Sequence, residues 1–488
     1  MRRTGENMNQ SNLFDFLRKR NDKVAIPLLW LGISIVLYRN NLMSIVIFSL
    51  VFLFFWMLIR ILSRTNIFLK QGESIHQPSF KRTSKLFSLI LTVFVSIIIL
   101  LTAIVLNFVE DFGGEAQQFD SPNYDDGTFH NLESTSLGPG ENASFWGTLG
   151  DYMVSDDQRS PNVALPSKPF TLEPLEPGQV SVTWLGHSTI FIRSTTLTIL
   201  MDPVFGDGGA GPLFFGPKPF PYEHTYAIEQ LPEIDYVFIS HDHYDHLDMD
   251  TVRSLDESSF FVPLGVKSHL LEWGLEPNQI QEFDWYDETN ISSEIQAAMT
   301  PSRHFSGRGL FNGDTTLWAS WVLKIHNTSL YFSGDTGYME EFKTIGERYG
   351  PFDLAFLESG QYNEAWKEIH MMPDEVVQAG IDLKASAILP IHNSKFELAL
   401  HHWDEPLERT STYGLERNLS VATPMIGQNH ILGEQIPTEP WWRNVSIGDQ
   451  PFLKESPLVG VMLAPFNLIA LAWVILPRIQ SSESKEEE

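Results

Sequence analysis

The sequence predicts an α/β domain carried on membrane-spanning helices. Three observations point there. From Gln179 onward, short runs rich in β-branched and aromatic residues lead into strands that alternate with helices, the pattern of an α/β domain. Before residue 110 lie long charge-free apolar runs, the signature of a bilayer-crossing helix. A dense cluster, His241-Asp-His-Tyr-Asp-His246, sits where one of the predicted strands ends and a helix begins.

Composition narrows the function. The 488 residues exceed one ordinary domain and carry a formal net charge of −28. Such acidity opposes non-specific attraction to nucleic acid phosphates, so no nucleic-acid partner is expected. There is no cysteine, which excludes disulfides and thiolate metal sites, so any metal must be held by His, Asp or Glu.

Taken in order, residues 1–109 read as a membrane region with spans at about 24–39, 42–62 and 86–109. Charge sets their orientation. The N-terminal tail carries Arg2, Arg3, Arg18, Lys19, Arg20 and Lys23, and the loop after the second run carries Arg60, Arg64, Lys70, Lys81, Arg82 and Lys85. Acidic Glu110, Asp111, Glu115 and Asp120 follow the third run. Tail inside, second loop inside and main domain outside satisfies every segment. The expectation is a multi-pass protein of the cell membrane with its main domain on the outer face. A C-terminal run, 458–476, within residues 446–488, is interrupted by Pro465 and Asn467; it reads as a fourth span or a docked helix ahead of an acidic tail.

Residues 110–178 are rich in Asp, Asn, Ser, Gly and Pro and read as a linker and extended lead-in. The main α/β domain, on the outer face, is expected over 179–445. Val180–Leu185, Thr189–Arg193 and Leu197–Met201 alternate as strands, and Asp235–Ser240 reads as a buried strand. Phe260–Pro263, Glu294–Thr300, Leu317–Ile325, Leu330–Phe332, Leu354–Leu357 and Ala387–Ile391 continue the strands. Helices are expected at Val266–Trp273, Tyr338–Tyr349 and Pro373–Leu383, the last with proline in its first turn. A Gly/Pro loop between 202 and 221 carries Phe214, Phe215 and Phe220; with Trp285, Phe305 and Phe311 these aromatics either line an apolar mouth or fill the core.

In an extended segment residues i, i+2 and i+4 share one side, so His241, His243 and Asp245 face one way and His246 stands beside them. Imidazole and carboxylate together suit zinc. Four further candidates lie downstream. His304, Asp335 and His392 each follow a predicted strand, and His370 precedes a helix. Strand C-termini are where α/β domains place their sites. Asp202 and Asp248 either orient ligating rings or serve as turn and helix cap.

These stretches resemble the metallo-β-lactamase superfamily over roughly residues 178–442. The resemblance is carried by Thr183-Trp-Leu-Gly-His-Ser-Thr189, Met201-Asp-Pro203, Ser240-His-Asp-His-Tyr-Asp-His246, His304-Phe-Ser-Gly-Arg308 and Ser333-Gly-Asp-Thr-Gly337. Within it the chain is similar to the branch of N-acylphosphatidylethanolamine-hydrolysing phospholipase D and ascorbate-lactonase-like proteins. The resemblance implies an αβ/βα sandwich with two Zn2+ ions at one edge. His241, His243 and His304 would bind the first, Asp245, His246 and His392 the second, and Asp335 both. It implies that Asp245 and Asp335 are catalytic and that Tyr244 and His370 contact substrate. His392-Asn393-Ser394 departs from the His-Trp-Gly common in relatives, so the pocket wall there is expected to differ.

The activity implied is hydrolysis by a metal-bound hydroxide, since two zinc ions about 3.5–4 Å apart share one water. A phosphodiester of phospholipid type is the first expectation, phospholipase D-like, with a small-molecule or lipid partner in the active site. A lactonase or other carbonyl hydrolase is the second. An anchored binding or sensor protein is the third, opposed by the complete set of ligand residues. Oligomeric state is not legible.

Overall fold

The computed structural model describes residues 110–136, 158–206, 209–211, 216–309 and 312–445. The chain divides into two compact units, Met1–Glu110 and Asp111–Glu488, and every described residue but Glu110 belongs to the second. The four expected spans fall outside the described residues. Among the described residues no helix is long and apolar enough to cross a membrane.

Two seven-stranded sheets form the second unit. A small hairpin precedes them, β1 (Tyr124–Asp125) and β2 (Thr128–Phe129). The first sheet contains β3 (Ser181–Trp184), β4 (Ile190–Arg193), β5 (Thr198–Met201), β6 (Tyr236–Phe238), β7 (Ser259–Pro263) and β8 (Ile280–Phe283). The second contains β9 (Glu288–Asn290), β10 (Ile295–Thr300), β11 (Ser320–Ile325), β12 (Thr328–Phe332), β13 (Leu354–Glu358), β14 (Ala387–Ile391) and β15 (Ser420–Val421). The last strand, β16 (Asn429–Ile431), returns to the first sheet and pairs with β3.

The two sheets share one plan. In each, an antiparallel set leads into parallel strands: β5 to β8 in the first and β12 to β15 in the second. Several of the parallel steps carry crossover helices, as parallel pairing requires. These include α1 (Met249–Ser254), α2 (Lys267–Glu272), α3 (Glu341–Arg348), α4 (Pro373–Asp382) and α5 (Glu405–Arg417).

Side-chain alternation explains the layering. Val182, Trp184, Ile190, Ile192 and Phe238 of the first sheet meet Trp321, Leu323, Phe332 and Phe356 of the second in one core. The opposite faces pack on helices: Phe191, Val237 and Val262 with Val252 and Leu270, and Tyr331, Ala355 and Ile388 with Phe342 and Val376. The result is the expected αβ/βα sandwich. The Trp321 indole ties the layers by donating to the Ile239 carbonyl at 2.8 Å. Truncating so large a buried ring typically costs about 3–5 kcal/mol.

The lead-in is not free. Residues 111–136 lie against the sandwich as a strap. Phe129 is buried in the central core, and its amide donates to the Asp314 carbonyl at 2.8 Å. Further along, the Ser134 carbonyl accepts from Arg303 Nη2 at 2.8 Å and Glu133 Oε1 accepts the Glu340 N–H at 3.1 Å, contacts that composition does not reveal.

Candidate metal centre

The candidate ligands converge at one edge of the sandwich because each follows a strand that ends there: β6 leads to His241–His246, β10 to His304, β12 to Asp335 and β14 to His392. Two groups of four form, each with ligand atoms within 4.8 Å of one another: His241, His243, His304 and Asp335, and His187, Asp245, His246 and His392. Asp335 stands between them. Its Oδ2 is 3.8 Å from His241 Nε2 and 3.7 Å from His304 Nε2. Its Oδ1 is 3.2 Å from His246 Nε2 and 2.6 Å from His392 Nδ1. One carboxylate oxygen thus faces each group.

The surrounding hydrogen bonds fix which ring nitrogen faces inward. Asp202, fully buried at the end of β5, accepts from Ser240 N at 2.7 Å and from the Ser240 hydroxyl at 2.5 Å. It also accepts His246 Nδ1–H at 2.7 Å. Ser240 Oγ, having given its proton to Asp202, accepts His241 Nδ1–H at 2.8 Å. His304 Nδ1–H donates to the Ile369 carbonyl at 3.1 Å. His241 and His304 are thereby left with the Nε2 lone pair turned to the centre. Burial opposes protonation of His246, but Asp335 and Asp245 raise its pKa well above the ordinary value, so its Nε2 carries a proton that a cation in the centre would replace.

The donor set fits divalent cations. His241 Nε2 and His304 Nε2 lie 2.9 and 3.3 Å from His243 Nδ1, so three ring nitrogens converge where a single His243 proton satisfies at most one of the two lone pairs. Buried His246 Nε2 and His392 Nδ1 both press on Asp335 Oδ1, at 3.2 and 2.6 Å, yet none of the three atoms makes an aligned hydrogen bond among the described residues, although buried polar groups are normally paired. A cation satisfies both sets. Burial and the neighbouring imidazoles hold His241 well below the ordinary range; His304 is held low by burial and by His243 and His370, against the pull of Asp335. Both stay neutral, the form a metal requires. Burial opposes ionisation of Asp335, yet His246 and His392 outweigh it and hold the carboxyl well below its usual range.

A cavity of about 310 Å3 opens over the groups, with His243, Asp245, His304, Asp335 and His392 among its walls. Its lining also includes the apolar side chains of Phe305, Trp366, Ile369 and Leu398. His370 also lines it. Its Nδ1 is 3.1 Å from Glu358 Oε1, and Glu358, fully buried, accepts Met371 N at 2.9 Å. Burial opposes protonation of His370, but Glu358 prevails and raises its pKa.

Other expected residues lie elsewhere. Tyr244, expected at the substrate, does not line the cavity. Its hydroxyl donates to the Arg308 carbonyl at 2.8 Å, and the Arg308 guanidinium lies 3.9 Å over its ring. Arg308 Nη1 in turn donates to the carbonyls of Asp242 and Leu247 at 2.8 and 2.7 Å. Tyr244 therefore braces the metal loop. Asp248 caps α1 by accepting Thr251 N at 3.1 Å and holds Gly206 N at 2.9 Å. Of the aromatics, Phe305 lines the cavity, Phe220 and Trp285 are in the core, and Phe214, Phe215 and Phe311 fall outside the described residues. Asn393 turns inward: its amide donates to the Ile391 and Pro390 carbonyls at 3.0 and 3.2 Å, fixing the turn that presents His392 rather than walling the cavity.

Two residues were not singled out from the sequence. His187 Nε2 lies 2.8 Å from Asp245 Oδ2, and burial with the nearby His392 lowers its pKa to about 3, so the neutral ring donates to that carboxylate. It sits in Gly186-His-Ser188, a stretch visible as a motif but without an obvious role. Glu358 ends β13 in an apolar run; a carboxylate closing a fully buried strand is itself the signal.

Residues 198–393 match the beta-lactamase superfamily domain. The chain is 38% identical over 329 residues to an uncharacterised protein of Mycobacterium tuberculosis, covering 66% of this chain and 88% of that one. It is 36% identical over 223 residues to N-acyl-phosphatidylethanolamine-hydrolyzing phospholipase D 1 of Caenorhabditis elegans, covering 43% of this chain and 62% of the relative. Over 101 residues it is 52% identical to outer membrane protein RomA of Klebsiella pneumoniae, covering 21% of this chain and 76% of the relative.

Proposed function

The chain belongs to the β-lactamase superfamily, in the branch of the N-acylphosphatidylethanolamine-hydrolysing phospholipases D, and is a hydrolase of that family; on that premise we propose that it is a membrane-anchored zinc enzyme that cleaves a phosphodiester of N-acylphosphatidylethanolamine type. The observation that carries the reading is Asp335, whose two oxygens face two histidine groups beside a cavity with an apolar wall.

In this reading His241, His243, His304 and Asp335 would hold one zinc ion, and Asp245, His246 and His392, with Asp335, would hold the other. Such a pair, when bound, supplies a water acidic enough to ionise near neutral pH and a Lewis acid for the scissile group. The chain's own residues do the rest. Asp202 and Ser240 keep the imidazoles in the ligating tautomer. His187 orients the Asp245 carboxylate. His370, held by Glu358, presents its other nitrogen toward the cavity, where a phosphate oxygen is a suitable partner. Phe305, Trp366, Ile369 and Leu398 offer an apolar wall for acyl chains and exclude water. Tyr244 takes a bracing role in place of substrate contact.

The charge-free runs before residue 110, their flanking charges and the similarity to a protein named for the outer membrane support a membrane address. The domain is then outside, the N-terminus inside and the active site close to lipid. Full-length protein in detergent, assayed on N-acylphosphatidylethanolamine, on bis-p-nitrophenyl phosphate and on a panel of lactones, tests the substrate class. Release of phosphatidic acid is expected. Lactone turnover with no phosphodiester turnover would replace this reading with a lactonase.

A further inference from the structure

We propose that Asn131, on the strap of residues 111–136, is a positioning residue of the metal centre, so that the centre is incomplete without the strap. The inference rests on His304 being a ligand, as in the function proposed above. His304 lies on the loop after β10, and its peptide groups make no backbone–backbone hydrogen bond among the described residues. Asn131 supplies both missing partners. Its Nδ2 donates to the His304 carbonyl at 2.7 Å, and its Oδ1 accepts the His304 N–H at 3.1 Å. The same oxygen accepts the indole N–H of buried Trp318 at 2.9 Å. A primary amide carries the donor and acceptor this pairing needs on one short side chain. An alanine has neither, and an aspartate would oppose the His304 carbonyl with a second acceptor.

The strap is held on both sides of Asn131. Before it, Phe129 is buried in the core. After it, Arg303, the neighbour of His304, donates from Nε to Thr135 Oγ1 at 3.0 Å and from Nη2 to the Ser134 carbonyl at 2.8 Å. Nearer its start, the strap also meets Arg308, which holds the loop after β6. Arg308 donates from Nε to the Asp111 carbonyl at 3.0 Å while its Nη1 holds the loop that carries His241 to His246. Gly113 and Gly114 pass so close to α2 that an added Cβ would lie 2.2 Å from His269 Nδ1 and 2.3 Å from the Ser268 carbonyl. The segment that leads out of the predicted third span therefore grips the loops of both ligand groups.

Zinc binding to the full-length chain in detergent tests this. Elemental analysis gives the stoichiometry, and titration against a chromophoric zinc chelator gives the affinity of each equivalent. Asn131→Ala and Asn131→Asp should each weaken one zinc equivalent by about 10–100-fold, the usual effect of losing a group that orients a ligand, and leave the other unchanged. Leu132→Ala, at a side chain that is 53% exposed, should change neither. If Asn131→Ala fails to fold, the isosteric Asn131→Asp carries the test. Cobalt-substituted protein adds a second readout: the absorption of the weakened site should shift in the Asn131 variants alone. Two full-affinity equivalents in folded Asn131 variants would overturn the clasp while leaving the dinuclear centre standing. A wild-type chain that binds no zinc would remove both.

Discussion

Replacing Asp202 should damage stability and metal binding together. Its carboxylate is fully buried and accepts three hydrogen bonds, from Ser240 N, Ser240 Oγ and His246 Nδ1. In Asp202→Ala the hydroxyl of Ser240 can turn elsewhere, but Ser240 N–H and His246 Nδ1–H cannot. Two stranded buried donors at roughly 1–3 kcal/mol each give a loss of about 2–6 kcal/mol. The same change frees the His246 ring and breaks the relay through Ser240 to His241, so zinc affinity should fall by about 10–100-fold. Urea unfolding of metal-free protein, followed by the buried tryptophans, reads the first effect, and chelator competition reads the second. Asp202→Asn, which keeps one acceptor oxygen, should be milder in stability yet similar in zinc affinity, because its amide nitrogen cannot accept from His246. An Asp202→Ala protein with wild-type stability and wild-type zinc affinity would refute the reasoning.

Three further outcomes are expected. His370→Ala should lower phosphodiester turnover by roughly 10²-fold or more, the lower range for a positioned histidine, with zinc content unchanged; loss of a zinc ion would instead make His370 a ligand. Trp366→Ala should reduce turnover of a long-chain lipid more than that of bis-p-nitrophenyl phosphate, because it removes apolar wall and leaves the polar floor; equal losses would argue against acyl chains on that wall. Lys395, whose Nζ donates to the Val204 carbonyl at 2.7 Å, is buried, and burial lowers its pKa to about 8 despite Asp248. Between that value and the ordinary lysine value the unfolded chain binds more protons than the folded one, so this group makes stability rise with pH from about 8 to about 10.5. Urea midpoints at both ends of that window should show a smaller rise in Lys395→Met than in wild type; an identical rise would show that Lys395 does not titrate as argued.

What the sequence made legible was local. His241 to His246 could be read because the ligands lie within one loop, and strands β10, β11 and β14 because their runs are mainly apolar, with Gln296 and Lys324 the exposed breaks. Polar edge strand β9 and the two-residue β15 carry no such pattern. Helix α5 is polar on average and carries Pro406 in its first turn, and its buried stripe of Pro406, Leu407, Thr410 and Gly414 holds a single large apolar side chain, too weak a period to stand out. Tertiary pairing hides a different class of feature. Glu358 acts only because β13 ends beneath His370, and Asn131 only because the strap meets the loop after β10, a contact spanning 173 residues. Tyr244 shows the converse. Its place in the motif suggested substrate contact, whereas the long-range partner Arg308 turns it toward the loop.

The central claim is that one carboxylate joins two metal sites. Elemental analysis of full-length protein purified without chelator, alongside Asp335→Ala, tests it most directly. The account predicts two zinc ions per chain in the wild type, since the ligand set exceeds what one tetrahedral ion uses. It predicts that Asp335→Ala loses zinc and activity together. A wild type that saturates at one ion or none, or an Asp335→Ala protein that keeps two ions and full turnover, would contradict it.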